Sequence, residues 1–236
     1  TLSLHDALPI YAVAVLHQSQ DKQWLLVHSF NYTGWVRAAD IAVGSKEQVF
    51  AYTAKAPFIV TTGAKVRTAY NPEISAISEL QLDMGIRLPQ LSAADTGFKV
   101  HGQNPAASYI VQLPLRRADG SLAFTAALIP RSEDLQQGYL PFTASNVVAQ
   151  AFKFLGERYG WGHDYNGRDC TGFISEIFRS FGFLMPRNSG QQGNGTYGSN
   201  IRFDSQSSKD DKLTAIQQAQ VGDLLYFPGH VSLYLG

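Results

Sequence analysis

The sequence contains a single cysteine among its 236 residues, Cys170, so no disulfide can form within the chain. Neither sign of charge is in excess, because 19 basic side chains balance 19 acidic ones, and nothing indicates nucleic acid as a partner. No run of eighteen apolar residues occurs, so a membrane-spanning helix is not predicted. One cysteine and scattered histidines lack the spacing of a zinc site, and no metal or other cofactor is predicted.

The first half of the sequence consists of short strand-like runs separated by close turns, which is typical of small β-barrels. Residues 10–56 predict a first small barrel, itself partial, although the same runs would fit part of a larger sandwich. Residues 57–132 predict a second small barrel, in which Arg117–Gly120 is a hairpin turn. The strand candidates of this second segment include residues 58–69 and 97–102.

The second half has a different pattern, with helices first and strands last. A polar stretch at residues 132–146 predicts a linker, and Thr143 or Ser145 is expected to cap the helix that follows. A polar, glycine-rich loop is expected at residues 186–211. Two strands close the sequence, at residues 223–227 and 230–236. Residues 140–236 therefore predict one domain, and the fold class of the whole chain is α+β.

Cys170 is expected where a helix begins. The residues before it, Gly167 to Asp169, are typical of a turn or cap. Apolar residues recur at helical spacing after it, at Phe173, Ile174, Ile177, Phe178 and Phe181. Unpaired N–H groups and the positive end of the helix dipole favour the thiolate, which is the nucleophilic form. A lone cysteine is more often an inert buried side chain, but the polar residues before Cys170 favour a catalytic nucleophile.

A cysteine nucleophile needs a base, and the sequence offers six histidines. His230 is the best placed, because it opens an alternating strand after a tight turn. A helix with the cysteine, followed by a sheet with the histidine, is the order found in papain-like peptidases. Taken alone, His230 would equally fit a hairpin residue bonded to the backbone. His163, seven positions before Cys170, is expected in the wall of a turn, with a role as alternative base left open.

Several motifs occur in a fixed order between residues 156 and 236: GERYGWGH, DCTGF, PRNSGQQ, GDLLYF and HVSLYLG. In these motifs the chain resembles the NlpC-type cell-wall endopeptidases, which are papain-like cysteine peptidases of bacteria. Thr171 stands where that family typically has serine, and His163 where it usually has a second glycine. GWV at residues 34–36 resembles the closing strand of bacterial Src-homology-3-like barrels, which precede this domain in enzymes that recycle or trim wall peptides.

The resemblance implies hydrolysis of the bond between γ-D-glutamate and a diamino acid in peptidoglycan stem peptides. Cys170 would attack the carbonyl, His230 would activate the thiol and protonate the departing amine, and the Cys170 backbone N–H would help to hold the oxyanion. Tyr159, Asp169 and Thr171 match the pocket for a free N-terminal L-alanine in the barrel-bearing relatives, and a carboxylate suits an ammonium. Asp169 would also fit a helix N-cap, and one residue can do both.

The same resemblance leaves other residues with weaker assignments. Trp161 is expected in the core, and Arg187 and Ser189 are expected on solvated surface. In the family a third polar residue, on the strand after His230, orients the catalytic imidazole. This sequence ends six residues after His230, so we expect the third residue to lie beyond its end and the peptidase domain to be truncated.

These observations predict a monomeric cysteine peptidase whose partners are peptidoglycan stem peptides. We expect it in the periplasm, secreted or in the cell envelope, with cytoplasmic recycling as the alternative. The barrels are expected to close one end of the cleft and to restrict the substrate to peptides with a free N-terminal L-alanine. Two other functions stay open: an amidase or acyltransferase on the same scaffold, and a non-catalytic peptidoglycan-binding protein.

Overall fold

The computed structural model describes residues 10–196 and 198–236, so His5 lies outside the described residues. Short antiparallel strands dominate the chain as far as residue 137, and helices followed by a two-stranded sheet make up the rest. This order confirms the predicted α+β class. The three domain boundaries predicted above stay predictions.

The first region is a three-stranded antiparallel sheet with its strands in sequence order. The strands are β1 (Ala14–Gln18), β2 (Trp24–His28) and β3 (Thr33–Arg37). Alternate residues of β2 and β3 point inward, and the buried side chains are Leu25, Val27 and Val36. Every residue of the edge strand β1 is exposed, so the core of this region is small.

Helix α1 (Lys46–Ala54) follows this sheet, where the sequence predicted only strands, so that prediction is wrong here. Ser45 caps the helix by accepting from the Gln48 backbone N–H, and the Gln48 side chain accepts from the Ser45 backbone N–H. This reciprocal capping box is visible in the sequence as SKEQ. Strand-like spacing on either side of α1 obscured that signal.

The middle region contains two antiparallel sheets. Its elements are β4 (Phe58–Thr61), β5 (Lys65–Arg67), β6 (Gln81–Asp83), β7 (Arg87–Leu91), the short α2 (Ala93–Thr96), β8 (Ser108–Arg116), β9 (Leu122–Pro130) and β10 (Leu135–Gln137). Five strands pair in the order β10-β4-β7-β8-β9, and β5 pairs with β6. The long β8–β9 hairpin turns at Arg117–Gly120, as predicted.

Three expectations for this region are wrong. Residues 58–69 form two strands rather than one, because the chain turns at Gly63 between β4 and β5. Residues 97–102 form no strand and contribute one isolated bridge between Val100 and Gln103. The predicted linker contains β10, which completes the edge of the larger sheet by pairing with β4. The polar side chains of β10 are compatible with an edge strand, which is solvated on one side.

The last region begins with α3 (Ala144–Phe152), which Thr143 caps by accepting from the Asn146 backbone N–H. The remaining elements are α4 (Cys170–Arg179), α5 (Ser189–Gly193), α6 (Lys209–Gln218), β11 (Leu224–Phe227) and β12 (His230–Leu233). The predicted loop thus contains α5 and the start of α6. Ser208 caps α6 in a box with Asp211, a signal that the polar composition of the helix masked.

Helix α4 is the centre of this region and is buried on nearly all sides. It packs against α3 and β12, and Ile174 and Ile177 share a core with Met84 of the middle region. Gly85 has a φ of +83°, and a Cβ there would overlap the Cβ of Arg179. The turn between β6 and β7 therefore approaches α4 as closely as a backbone can. Within the described ranges, none of the helices is long and apolar enough to cross a membrane.

Candidate active site

Cys170 is the first residue of α4, as the sequence predicts. Its N-cap is Asp169, whose Oδ1 accepts a 2.8 Å hydrogen bond from the Gly172 backbone N–H. The cap satisfies one of the N–H groups that the first turn of a helix leaves unpaired. Cys170 is half-buried, so its thiol lies at the edge of the core with part of the residue accessible.

His230 is the first residue of β12, which packs against α4. Successive strand residues face opposite sides, so the buried Val231 points into the core that Cys170 borders while His230 is exposed. Along the described chain, no side chain hydrogen-bonds to the His230 imidazole. The structure brings together the two elements that carry Cys170 and His230, and their roles as nucleophile and base stay predictions.

Asp169 is the most heavily hydrogen-bonded side chain near the thiol. Its Oδ1 accepts from the Gly172 N–H and, at 3.0 Å, from the Thr171 hydroxyl. Its Oδ2 accepts from the Gly162 N–H at 3.2 Å and from Nη2 of Arg187 at 2.7 Å. Burial would raise the pKa of Asp169, but the bonds from Arg187 and Gly172 outweigh it and hold that pKa below its ordinary value.

Tyr159 lies on the other side of the helix start. The Cys170 backbone N–H, the expected oxyanion donor, points at the Tyr159 hydroxyl oxygen at 3.4 Å. An oxyanion held by this N–H would therefore lie beside the phenol. Burial raises the pKa of Tyr159 above its ordinary value, and this outweighs the hydrogen bond from the Cys170 backbone N–H, which lowers it. The phenol is therefore protonated at neutral pH and available as a hydrogen-bond donor.

Two expectations from the sequence are wrong in this area. Trp161 was expected in the core, but it is 71% exposed, because it opens the irregular surface segment Trp161–Asn166. Arg187 was expected on solvated surface, but its side chain is only 13% exposed and is bound to Asp169. Arg187 lies 18 positions from Asp169 in the sequence, so no local spacing reveals the pair. Ser189 begins α5, where no role in the site is evident.

His163 occupies the predicted turn and packs directly on α4. Its side chain is 14% exposed, and its Nδ1 lies 3.0 Å from Nη2 of Arg187. The ring covers Gly172, where an added Cβ would lie only 2.6 Å from the imidazole Nε2. His163 itself has a φ of +64°, which is a conformation that favours glycine.

We expect Gly172→Ala to lower the free energy of unfolding by about 2 kcal/mol, because the new methyl group overlaps the His163 ring. Combined with His163→Gly, the same change should become neutral or stabilising by up to about 1 kcal/mol, because alanine is the better helix former. Urea unfolding of the two single variants and the double variant measures both effects. An equal loss from Gly172→Ala in both backgrounds would contradict this packing argument.

Behind the site lies a cluster of buried charges that the sequence did not reveal. Arg168 is 5% exposed and contacts three carboxylates: Glu157 at 2.7 Å, Asp83 at 3.0 Å and Glu176 at 3.0 Å. It also donates a 2.7 Å hydrogen bond to the Ala64 carbonyl. Asp83 and Ala64 belong to the middle region, so the residue two positions before Cys170 is fixed by another part of the chain.

Arg179 extends the cluster at the other end of α4. It donates to the Tyr11 hydroxyl at 2.6 Å and to the Met84 carbonyl at 3.4 Å, and it lies 3.9 Å from Glu176. Burial raises the pKa of Tyr11 to about 12. Among the described residues, no group of three histidine, cysteine or acidic side chains could hold a metal ion.

Two family models match the chain. Residues 156–236 match the NlpC/P60 family, and residues 8–37 match an SH3 domain of the SH3b1 type. Both matches fall on segments described above, the first on the region with α4 and β12 and the second on the three-stranded sheet. Together they support the resemblance that the sequence motifs indicated.

The chain is also similar to named proteins of bacilli. A γ-D-glutamyl-L-lysine dipeptidyl-peptidase of Bacillus cereus is 26% identical over 95% of this chain and 62% of its own length. A protein of the same name from Bacillus subtilis is 27% identical over 55% of this chain and 43% of its own. The chain thus spans less than two thirds of either relative. A crystal structure of an NlpC/P60 family protein from Bacillus cereus superposes with a TM-score of 0.62 at 23% identity, covering 95% of this chain and 68% of that one, which shows a shared fold.

Proposed function

We propose that the protein is a cysteine peptidase of peptidoglycan stem peptides, on the premise that residues 156–236 match the NlpC/P60 family and residues 8–37 match an SH3 domain. The bond cut is the one between γ-D-glutamate and the following diamino acid. The observation that carries the proposal is the position of Cys170, the only thiol, as the first residue of a capped helix that packs against the strand opened by His230.

The chemistry requires a nucleophile, a proton carrier and an oxyanion donor. Cys170 attacks the γ-carbonyl carbon as the thiolate, and the resulting oxyanion is held by the Cys170 backbone N–H. His230 gives its proton to the amine of the diamino acid as the C–N bond breaks, which leaves a thioester on Cys170. A water molecule then attacks the thioester, His230 takes its proton, and the thiolate leaves.

The pocket for the substrate's free N-terminal amine is proposed at Tyr159, Asp169 and Thr171. The carboxylate of Asp169 and the hydroxyl groups of its two neighbours suit an ammonium. Because Asp169 is already paired with Arg187, an ammonium gains less from this carboxylate than from a free one. We therefore assign the pocket a preference for the free amine rather than an absolute requirement.

The middle region is proposed to close one end of the cleft. Asn166 exchanges two side-chain hydrogen bonds with Gln81, of 2.8 and 2.9 Å, and its carbonyl accepts from Lys65. These contacts support a wall beside the segment that begins at Trp161. A wall there favours short peptides over stems that are still attached to glycan. We propose that such an enzyme acts as a monomer. We further propose that it acts in the cell envelope or outside the cell, and fractionation of the producing bacterium tests this location.

The experiment is digestion of L-Ala-γ-D-Glu-L-Lys-D-Ala and of its meso-diaminopimelate counterpart, with products identified by mass. We expect L-Ala-γ-D-Glu and a second product with a new amino terminus on the diamino acid. Acetylation of the N-terminal alanine should lower kcat/KM by roughly 10-fold, which corresponds to the loss of one partly screened ion pair.

Three results would count against this function. Cleavage at any other bond would point to a different acyl chemistry on the same scaffold. Equal rates of cleavage on intact peptidoglycan and on free peptides would contradict the proposal that the middle region closes one end of the cleft. Peptidoglycan binding with no cleavage would favour a non-catalytic role.

A further inference from the structure

An acidic N-cap beside a cysteine nucleophile raises an electrostatic problem. The Asp169 carboxylate is one residue before Cys170 and caps the helix that this residue begins. A cap of this kind stabilises the helix, but a bare carboxylate close to the thiol opposes formation of the thiolate. A reactive Cys170 therefore needs a cation that offsets the charge of Asp169 without removing the cap.

Arg187 has the geometry for this task. Its Nη1 and Nη2 contact the two oxygens of Asp169 at 3.3 and 2.7 Å, which is a two-pronged ion pair. Nη1 also donates to the Thr171 hydroxyl at 2.6 Å, so Arg187 contacts residues on both sides of Cys170. The side chains of Arg187 and Asp169 are 13% and 11% exposed, and water screens the pair only weakly.

A second layer supports Arg187 from behind. A guanidinium only donates hydrogen bonds, so the His163 Nδ1 at 3.0 Å from Nη2 must accept. The proton of a neutral ring is then on Nε2, which lies 3.8 Å from the buried Oε1 of Glu176. That distance is an electrostatic contact rather than a hydrogen bond. The Arg187 guanidinium thus contacts the Asp169 carboxylate directly, and the His163 imidazole lies between it and the Glu176 carboxylate.

We propose that Arg187 is a positioning residue that neutralises the Asp169 carboxylate, so that the N-cap of α4 can be acidic while Cys170 stays reactive. The inference rests on the proposed function only in taking Cys170 as the nucleophile. In this proposal the charge of Arg187 affects the reactivity of Cys170, whereas a purely structural ion pair would affect only the stability of the fold.

The test is the rate of alkylation of Cys170 by iodoacetamide as a function of pH, which requires no substrate and reports on the only thiol in the chain. We expect Arg187→Gln to move the midpoint of the profile upward by roughly one pH unit, because Asp169 is left unpaired. Arg187→Lys keeps the charge and should give a midpoint close to that of the unmodified protein. Asp169→Asn keeps a good cap and should move the midpoint downward.

The decisive variant carries both Arg187→Gln and Asp169→Asn. Both charges are then absent, and the midpoint should return to that of the unmodified protein. Arg37→Gln is the matched control, because Arg37 makes an exposed pair with Asp40 and the change in net charge is the same. The titratable and charged groups near the helix start are Tyr159, His163, Arg168, Asp169 and Arg187, with Glu176 behind them, and His230 opens the strand that packs against this helix. Each variant keeps all of these groups except the mutated ones, so a difference between two midpoints reports only the charges that were changed.

Midpoints that are equal in Arg187→Gln and the unmodified protein would overturn the inference. So would equal effects of Arg187→Gln and Arg187→Lys, since these indicate lost packing rather than lost charge. If Arg187→Gln fails to fold, the comparison of Asp169→Asn with the double variant decides, because loss of the Arg187 charge should place the midpoint of the double variant above that of Asp169→Asn. A protein that shows the predicted shifts but leaves the γ-D-glutamyl bond intact would refute the proposed substrate and retain this role of Arg187.

Discussion

Replacement of Cys170 by alanine should abolish the proposed hydrolysis of the γ-D-glutamyl bond, with a fall in kcat of at least about 10⁴-fold. The chain has one thiol, so no neighbouring cysteine can substitute for it. Alanine is a strong helix former and Cys170 is half-buried at a helix start, so the fold should be retained. Product formation measured by chromatography, beside a thermal unfolding curve, separates lost chemistry from lost structure.

His230→Ala provides the companion measurement. If the two residues act as one unit, the double variant with Cys170→Ala should be no slower than Cys170→Ala alone. Leu233→Ala on the same strand is the matched control, because it shortens a core side chain without touching the imidazole. A Cys170→Ala protein that cuts the peptide at a rate near the original would remove the proposed nucleophile. A fully active His230→Ala protein would remove the proposed base.

Replacement of Glu176 by glutamine should lower the free energy of unfolding by about 3 kcal/mol at neutral pH. Glu176 is fully buried and lies between Arg168 and Arg179, so the change leaves two buried guanidinium groups with too little negative charge. Urea unfolding at pH 7 measures the loss. A loss below about 0.5 kcal/mol, within the range of surface substitutions, would contradict the role of this carboxylate.

Asp83→Asn is the matched control, because Asp83 contacts the same Arg168 guanidinium as Glu176. Burial and then the like charge of Glu176 raise the pKa of Asp83 above its ordinary value, so its ionised form is disfavoured in the fold. Removal of that charge should therefore cost less than about 1 kcal/mol, although the ion pair appears equally close. A larger loss from Asp83→Asn than from Glu176→Gln would reverse our ranking of the two carboxylates.

The contributions of Glu176 and Asp83 to the free energy of unfolding also depend on pH with opposite signs. Burial would raise the pKa of Glu176, but His163, Arg168 and Arg179 lower it below the ordinary value of 4.5. Its stabilising contribution is therefore complete above pH 4.5 and is lost as the pH falls through the folded-state value. Asp83, with its raised pKa, takes up a proton in the fold first and partly offsets that loss. In Glu176→Gln the fall in stability below pH 4.5 should be shallower.

The sequence predicted those parts of the fold that depend on local pattern. The start of α4 at Cys170, the cap at Thr143 and the β8–β9 hairpin are confirmed, because capping residues and turn residues act over a few positions. Helix α1 could have been predicted from its capping box. Strand β10 could not, since an isolated polar segment becomes a strand only when a distant edge accepts it.

The candidate site divides in the same way. The motifs in the sequence identified Asp169 and its neighbours, but not the cation that pairs with the carboxylate. Glu176 and Arg179 resemble the solvated face of an amphipathic helix, and a pattern of apolar residues cannot reveal a face that is buried by charge pairing. Glu176 pairs with Arg168 and Arg179 of its own region, and these two arginines in turn contact Ala64, Asp83 and Met84 of the middle region, about 85 to 104 residues earlier. Only the folded chain places them together.

The contacts of α4 with the rest of the chain have a practical consequence for producing the protein. A fragment cut at residue 140 would retain all the sequence motifs between residues 156 and 236 but would lose the Ala64 carbonyl, Asp83 and the Met84 carbonyl. Arg168, two positions before the thiol, would keep Glu157 and Glu176 but lose Asp83 and the Ala64 carbonyl. A fragment that keeps all the partners of Arg168 therefore has to reach back to Ala64, well before residue 156, where the NlpC/P60 similarity begins.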